Sequence, residues 1–207
     1  MSKERPPPRL CAIFARRKPR AVIFLRSPSD WYHIVLWNTV KDSFEHGAWF
    51  KGRIYEEKCD LSPDGELLIY FVLKGKGWNT SYKGSWTAIS RPPWLYALTL
   101  WPHGSTWGGG GRFFDDRVVI LRGSSGVHPN HPLNGVKVIE GSCKGIVSVS
   151  SIPGAEWSGY DQGGYPIYAR KGKLYRRLLN NDRELADFNG LIPNPIEAPE
   201  WAKKPVS

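Results

Sequence analysis

Residues 60–73 read Asp60-Leu61-Ser62-Pro63-Asp64-Gly65-Glu66-Leu67-Leu68-Ile69-Tyr70-Phe71-Val72-Leu73, and this stretch decides the fold class. Ser62-Pro63-Asp64-Gly65 predicts a turn. Proline presets φ at the first central position, aspartate tolerates the next corner, and glycine takes backbone conformations in which a side chain would clash. Upstream lies Arg53-Ile54-Tyr55-Glu56-Glu57-Lys58-Cys59, and downstream an apolar and aromatic run too short for a helix of ordinary length. Two such runs around a turn predict a hairpin whose second strand, Leu67 to Leu73, is buried on both faces.

Outward from this hairpin the same grammar repeats. Short apolar runs at 10–15, 21–26, 31–37, 85–90, 94–101, 118–122, 136–139, 146–149, 165–170 and 173–178 are separated by glycine, proline and polar turns, and each predicts a strand. The chain has 207 residues with 22 glycines, 17 prolines, 10 tryptophans, 9 tyrosines and one methionine, a balance that favours strands and turns over helices. The expected fold class is all-β: an antiparallel, propeller-like or irregular β-repeat domain of short strands. Residues 1–9 read as a disordered basic, Pro-rich N-terminus, 10–192 as a single all-β domain, and 193–207 as a Pro-rich tail. About fifteen candidate strands would nearly fill four blades of four.

The formal charge of +10 is uneven: Lys3, Arg5, Arg9, Arg16, Arg17, Lys18, Arg20 and Arg26 stand against Glu4 alone in residues 1–26. Such a segment attracts nucleic acid or anionic lipid, or serves as a solvated tail. Cys11, Cys59 and Cys143 are odd in number and in no C-x-x-C pairing, so they read as small buried residues of a reduced compartment rather than a disulfide or zinc framework. No run is apolar for long enough to span a bilayer and no secretory signal core opens the chain. A cytoplasmic protein that binds no membrane, cofactor or metal is the expectation.

Two tracts echo each other. His46-Gly47-Ala48-Trp49-Phe50-Lys51-Gly52-Arg53 recurs, with two residues inserted, as His103-Gly104-Ser105-Thr106-Trp107-Gly108-Gly109-Gly110-Gly111-Arg112, each followed by apolar-aromatic and then paired acidic residues. A fainter third version, Trp157-Ser158-Gly159, precedes the run at 167–170. Repetition of this kind is what a stacked or radial β architecture leaves in a sequence. Ser62-Pro63-Asp64-Gly65 followed by an apolar strand resembles the S-P-D-G core of WD40-like propeller repeats of the bacterial TolB type, and Gly172-Lys173-Leu174-Tyr175-Arg176 is similar in character to their blade hairpins. The resemblance implies interaction surfaces rather than a chemistry.

Several constellations invite a catalytic reading. The glycines of Trp107–Arg112 lack the Lys-Ser/Thr and helix of a phosphate loop. Gly141-Ser142-Cys143-Lys144-Gly145 matches a nucleophile elbow in letters but lacks the surrounding βαβ pattern. His128 and His131, grouped with Asp115 and Asp116 as a metal set, read better as surface-loop histidines. Neighbouring acids in Glu56-Glu57 and Asp115-Asp116 face opposite sides of a strand. The aromatic residues point elsewhere, because Trp and Arg are enriched at binding hot spots. The expected function is a non-catalytic module that binds a protein partner through His46, Trp49, Arg53, His103, Trp107 and Arg112 on repeated loops. The alternative is nucleic-acid binding through Arg16, Arg17, Lys18 and Arg20 with aromatic stacking. A hydrolase using a carboxylate or Cys143 ranks last.

Overall fold

The computed structural model describes residues 6–27, 30–123, 126–141, 152–179 and 181–206. Four sheets follow one another along the chain. The first is a meander of β1 (Arg9–Phe14), β2 (Arg20–Arg26), β3 (Trp31–Asn38) and β4 (Ser43–Lys51). The second contains β5 (Arg53–Ile54), β6 (Asp60–Leu61), β7 (Leu68–Leu73), β8 (Ser85–Ser90) and β9 (Thr99–Pro102), with both β5 and β6 paired to β7. β10 (Gly111–Asp115), β11 (Val118–Leu121) and β12 (Lys137–Glu140) form the third. The fourth is β13 (Trp157–Tyr160), β14 (Pro166–Arg170), β15 (Lys173–Arg177) and β16 (Asp182–Asp187). The all-β expectation holds, and the pairing is antiparallel except that β12 lies parallel to β11.

The hairpin at 60–73 is the joint of the molecule. Gly65 N–H donates to Ser62 C=O at 2.8 Å, and Gly65 takes a φ of +73° where a Cβ would press on Arg20. The Ser62 hydroxyl donates to Asp64 and accepts the amides of Glu66 and Leu67. The turn also reaches outward: Arg17 N–H donates to Pro63 C=O from the first sheet, while Asp116 accepts the Asp64 amide and Arg117 pairs with Asp64 from the third. Three sheets therefore meet on one tetrapeptide. Leu67 through Val72 are all buried, as a strand covered on both faces requires.

Three cores explain that burial. Alternate residues of β2 serve two of them: Val22 and Phe24 face Ile54, Leu61, Tyr70 and Val72 of the second sheet, while Ala21, Ile23 and Leu25 face Trp157, Ile167 and Leu174 of the fourth. Leu67, Ile69 and Ile89 pack on Phe113, Val119 and Leu121 to join the second sheet to the third. Among the described residues no buried cluster joins the third sheet to the fourth, and no closed barrel or propeller is seen.

Some expectations change. The run 94–101 yields strand only over Thr99–Pro102, because the chain turns as it leaves Pro92 and Pro93, Trp94 N–H donating back to Arg91 C=O at 2.9 Å. Trp94 and Leu98 are buried in the preceding loop instead, and Leu95 C=O accepts the Tyr70 hydroxyl at 2.8 Å. A turn of 3₁₀ helix, Glu56–Lys58, interrupts the first arm of the hairpin. The tract 43–51 is strand β4 rather than a loop, and β16 forms beyond the last run, 173–178, from which a strand is expected. Within 193–207, Glu200–Lys203 is a short helix, Val206 lies in the core between the second and third sheets, and Pro205 C=O accepts from Arg91. Of the expected N-terminal segment, residues 1–5 lie outside the described residues, as do the strand expected at 146–149 and Cys143 with its flanking residues.

Candidate functional site

The connection from β9 to β10 carries the most exposed tryptophan of the chain. His103 N–H donates to Ser85 C=O at 2.9 Å and its Nε2 lies 2.8 Å from Thr87 Oγ1, which also accepts Gly110 N–H at 2.7 Å. Gly109 and Gly110 both have positive φ, and a Cβ there would fall on the Phe71 ring and on the Lys58 backbone. The glycines are thus demanded by close approach, not by a phosphate. Lys58 Nζ donates to Thr106 C=O at 2.6 Å and to Gly108 C=O at 3.0 Å, the carbonyls on either side of Trp107. One ammonium thereby fixes both shoulders of the loop tip. Trp107 itself is 95 % exposed.

The charge around this tip is one-sided. Lys58 sits below its ordinary value through burial and the nearby Arg122 guanidinium. His103 is pushed down to about 4 by burial, Lys58 and Lys83, so its imidazole is neutral at pH 7. The adjoining loop, residues 74–84, contributes Lys74, Lys76 and Lys83 and contains no acidic residue.

Arg53 and Arg112 lie in a different place and meet there. Each sits at the opening strand of its sheet, β5 and β10, and both line a cleft of about 710 Å³ together with β1, Asp60 and Trp157. Arg53 pairs with Glu56 at 3.4 Å and lies over the rings of Tyr32 and Tyr55. Asp60 accepts Phe113 N–H at 2.8 Å and pairs with Arg16 at 3.4 Å, tying β6 to β10 and to the first turn. Burial raises the Glu56 and Asp60 carboxyls. It also pushes the Cys11 thiol, on the same cleft, up to about 12 and raises Cys59. Both thiols are thus protonated and unsuited to nucleophilic attack.

His46 and Trp49 belong to a stack on β3 and β4. The buried His33 ring lies between them, 5.1 Å from His46 and 4.2 Å from Trp49, near parallel to both. His33 Nδ1–H donates to Ala48 C=O at 3.2 Å, which leaves Nε2 to accept from His46 Nδ1 at 2.8 Å. Burial pushes His33 down to about 4 and lowers His46. Trp49 also lines a groove of about 840 Å³ with Pro6, Pro7, Pro8 and Phe188. The six residues expected as one surface therefore separate into three places: the His46–Trp49 stack, the Arg53–Arg112 cleft, and the His103–Trp107 loop.

The basic turn is largely committed within the molecule. Arg16 pairs with Asp60, Arg17 with Asp115 and Asp116, and Arg20 with Glu66, which leaves Lys18 without a carboxylate partner among the described residues. Those pairs also account for Asp115 and Asp116. His128 and His131, expected on the surface, are instead packed around Tyr82. His128 is buried with its Nε2 on Ser81, and His131 bonds Ala97 C=O and the Tyr82 hydroxyl. Among the described residues no three His, Cys, Asp or Glu side chains group as metal ligands, and no helix is long and apolar enough to cross a membrane.

Lys58 is the residue that sequence reading missed. Its partners lie about fifty residues downstream and nothing in local spacing links them; the one signal is that a run of glycines must be held by something. No protein-family model, curated protein or solved structure matches this chain.

Proposed function

We propose that the chain is a non-catalytic, propeller-like interaction module that grips a protein partner with the Trp107 loop. One observation carries the reading: an indole almost wholly in water stands on a loop whose flanking carbonyls are both bound by a single ammonium. Leaving a large apolar side chain in water gains nothing for the folded chain. Rigidity, however, lowers the ordering cost of binding, and tryptophan is the residue type most enriched where interface energy concentrates. The S-P-D-G hairpin and the succession of four small sheets agree with such a scaffold, and the function requires no cofactor. Nucleic-acid binding through the basic turn is the weaker reading, since three of its four cations already face carboxylates.

The test is site-specific photo-crosslinking in the native host, with a benzophenone side chain at Trp107 or, as control, at Val40, which is 76 % exposed. A discrete protein adduct from position 107 and none from position 40 is expected. Equal adducts from both positions, or adducts to RNA alone, would overturn the proposal.

A further inference from the structure

The loop that presents Trp107 has a charge pattern that selects among partners, and this inference rests on the reading just given. Lys83 packs its side-chain stem against Gly104 of the Trp107 loop. Arg122 brackets the other flank: its carbonyl accepts Gly109 N–H and its own N–H donates to Gly110 C=O, at 2.8 and 3.0 Å. Among the described residues neither side chain forms an ion pair, and Lys58 donates to two backbone carbonyls. The segments 74–84 and 103–112 contain no Asp or Glu. Glu57 draws on the Lys58 ammonium but is outweighed there by burial and Arg122. Several other cations of the chain are engaged by carboxylates, as at Arg16, Arg17, Arg20, Arg53, Arg176 and Arg177. Beside the exposed indole, Lys83 and Arg122 stand with no carboxylate partner among the described residues.

We infer that the partner surface is an acidic protein segment: carboxylates that meet Lys83 and Arg122 around an apolar notch that takes the Trp107 ring. Guanidinium and ammonium groups without internal partners lose no ion pair when a carboxylate arrives, and opposite charge at the rim speeds encounter and fixes register. Single-stranded nucleic acid would offer anions and a flat base to the same groups. The protein segment is favoured because Lys58 binds the carbonyls on both sides of Trp107, so that its ring projects alone from its loop, while Trp78 of the adjoining loop lays its ring against Gly84.

The experiment uses the full chain and three fluorescein-labelled probes at low and physiological salt: a short peptide of Asp, Glu and Leu, its Lys-for-acid counterpart, and oligo-dT. Binding of the acidic peptide alone is expected, weakened at higher salt. Trp107→Ala should lower that affinity about tenfold or more, and Lys83→Glu with Arg122→Glu should abolish it, all without a change in melting midpoint. A Lys58→Met variant should retain binding with reduced affinity, as the loop loses its clamp. Preference for oligo-dT, indifference to peptide charge, or unchanged affinity in Trp107→Ala would each overturn the inference. Loss of acidic-peptide binding alongside a discrete crosslinked protein at position 107 would refute only the acidic character. Loss of both would refute the interaction reading as well.

Discussion

Trp107 and Trp37 show how differently one residue type is used in this chain. Trp37 is fully buried, flanked by Phe14, Phe44 and the Arg176 guanidinium. Its truncation to alanine removes transfer free energy and leaves a cavity, a loss of about 3–5 kcal/mol. Trp107→Ala removes no packing and should stay within about 0.5 kcal/mol of the parent. Denaturant midpoints of the two variants decide it, and a large loss at Trp107 would make the indole structural. His33 supplies a pH dependence at the same scale. Folded His33 takes up its proton at about 4, against the ordinary histidine value of 6.5. As pH falls the unfolded chain protonates first, so the stability contributed by neutral His33 is complete above 6.5 and is lost as pH drops toward 4. His103 acts in the same window for the same reason of burial. Denaturant midpoints measured across this range should fall with acid, and His33→Gln should flatten the fall. An unchanged slope in that variant would assign it to other groups.

At the scale of elements, the hairpin of β6 and β7 has its stability concentrated in the Ser62 hydroxyl, which accepts two amides and donates to Asp64. Ser62→Ala strands those groups and should cost about 1–3 kcal/mol, whereas Ser90→Ala, at a buried hydroxyl with no partner among the described residues, should cost little. Equal effects in thermal melts would remove the turn from its place as joint. This hairpin was legible because proline, aspartate and glycine each act locally on their own backbone. β16 was not legible, because Asp182-Arg183-Glu184-Leu185-Ala186-Asp187 is mostly exposed and joins β15 through backbone bonds, with only Leu185 and Ala186 reaching the core. The run from Trp94 misled for the opposite reason: Trp94 and Leu98 are buried in a loop that begins with a turn after two prolines, so their burial needs no strand. The echo around Arg53 and Arg112 marks real crossings from one sheet to the next. The surfaces around its histidines and tryptophans differ because His46 and Trp49 lie in a strand, while His103 and Trp107 lie in a loop. Side-chain clamps such as Lys58 depend on tertiary contacts and leave no periodic trace.

Across the whole molecule, the polar tie of the fourth sheet to the first centres on the Arg176 guanidinium, with Arg183 also on Asp42 and Thr39 Oγ1 donating to Gln162. Arg176 of β15 bonds both oxygens of Asp42 at 2.9 and 3.0 Å, the Thr39 carbonyl at 2.9 Å and Asp161 at 3.2 Å. All three charged side chains are largely shielded from water, with 11, 11 and 5 % side-chain exposure for Arg176, Asp42 and Asp161. Beside it, the Gln162 amide donates to the carbonyls of Ala15, Lys18 and Arg20. Removing one partner of such a set leaves uncompensated buried charge and typically costs about 3–5 kcal/mol. The second and third sheets do not touch this network, since their joints run through Ser62–Gly65 and Asp60. Arg176→Ala should therefore loosen the fourth sheet first. In hydrogen exchange, amides of β13–β16 should lose protection while those of β7 and β8 keep theirs, and Arg176→Lys should fall between, lacking the fork that spans both Asp42 oxygens. Uniform loss of protection across all four sheets would mean that the core shared by β2, Ile167 and Leu174 couples them more tightly than the ion network does, and that the four sheets unfold as one unit.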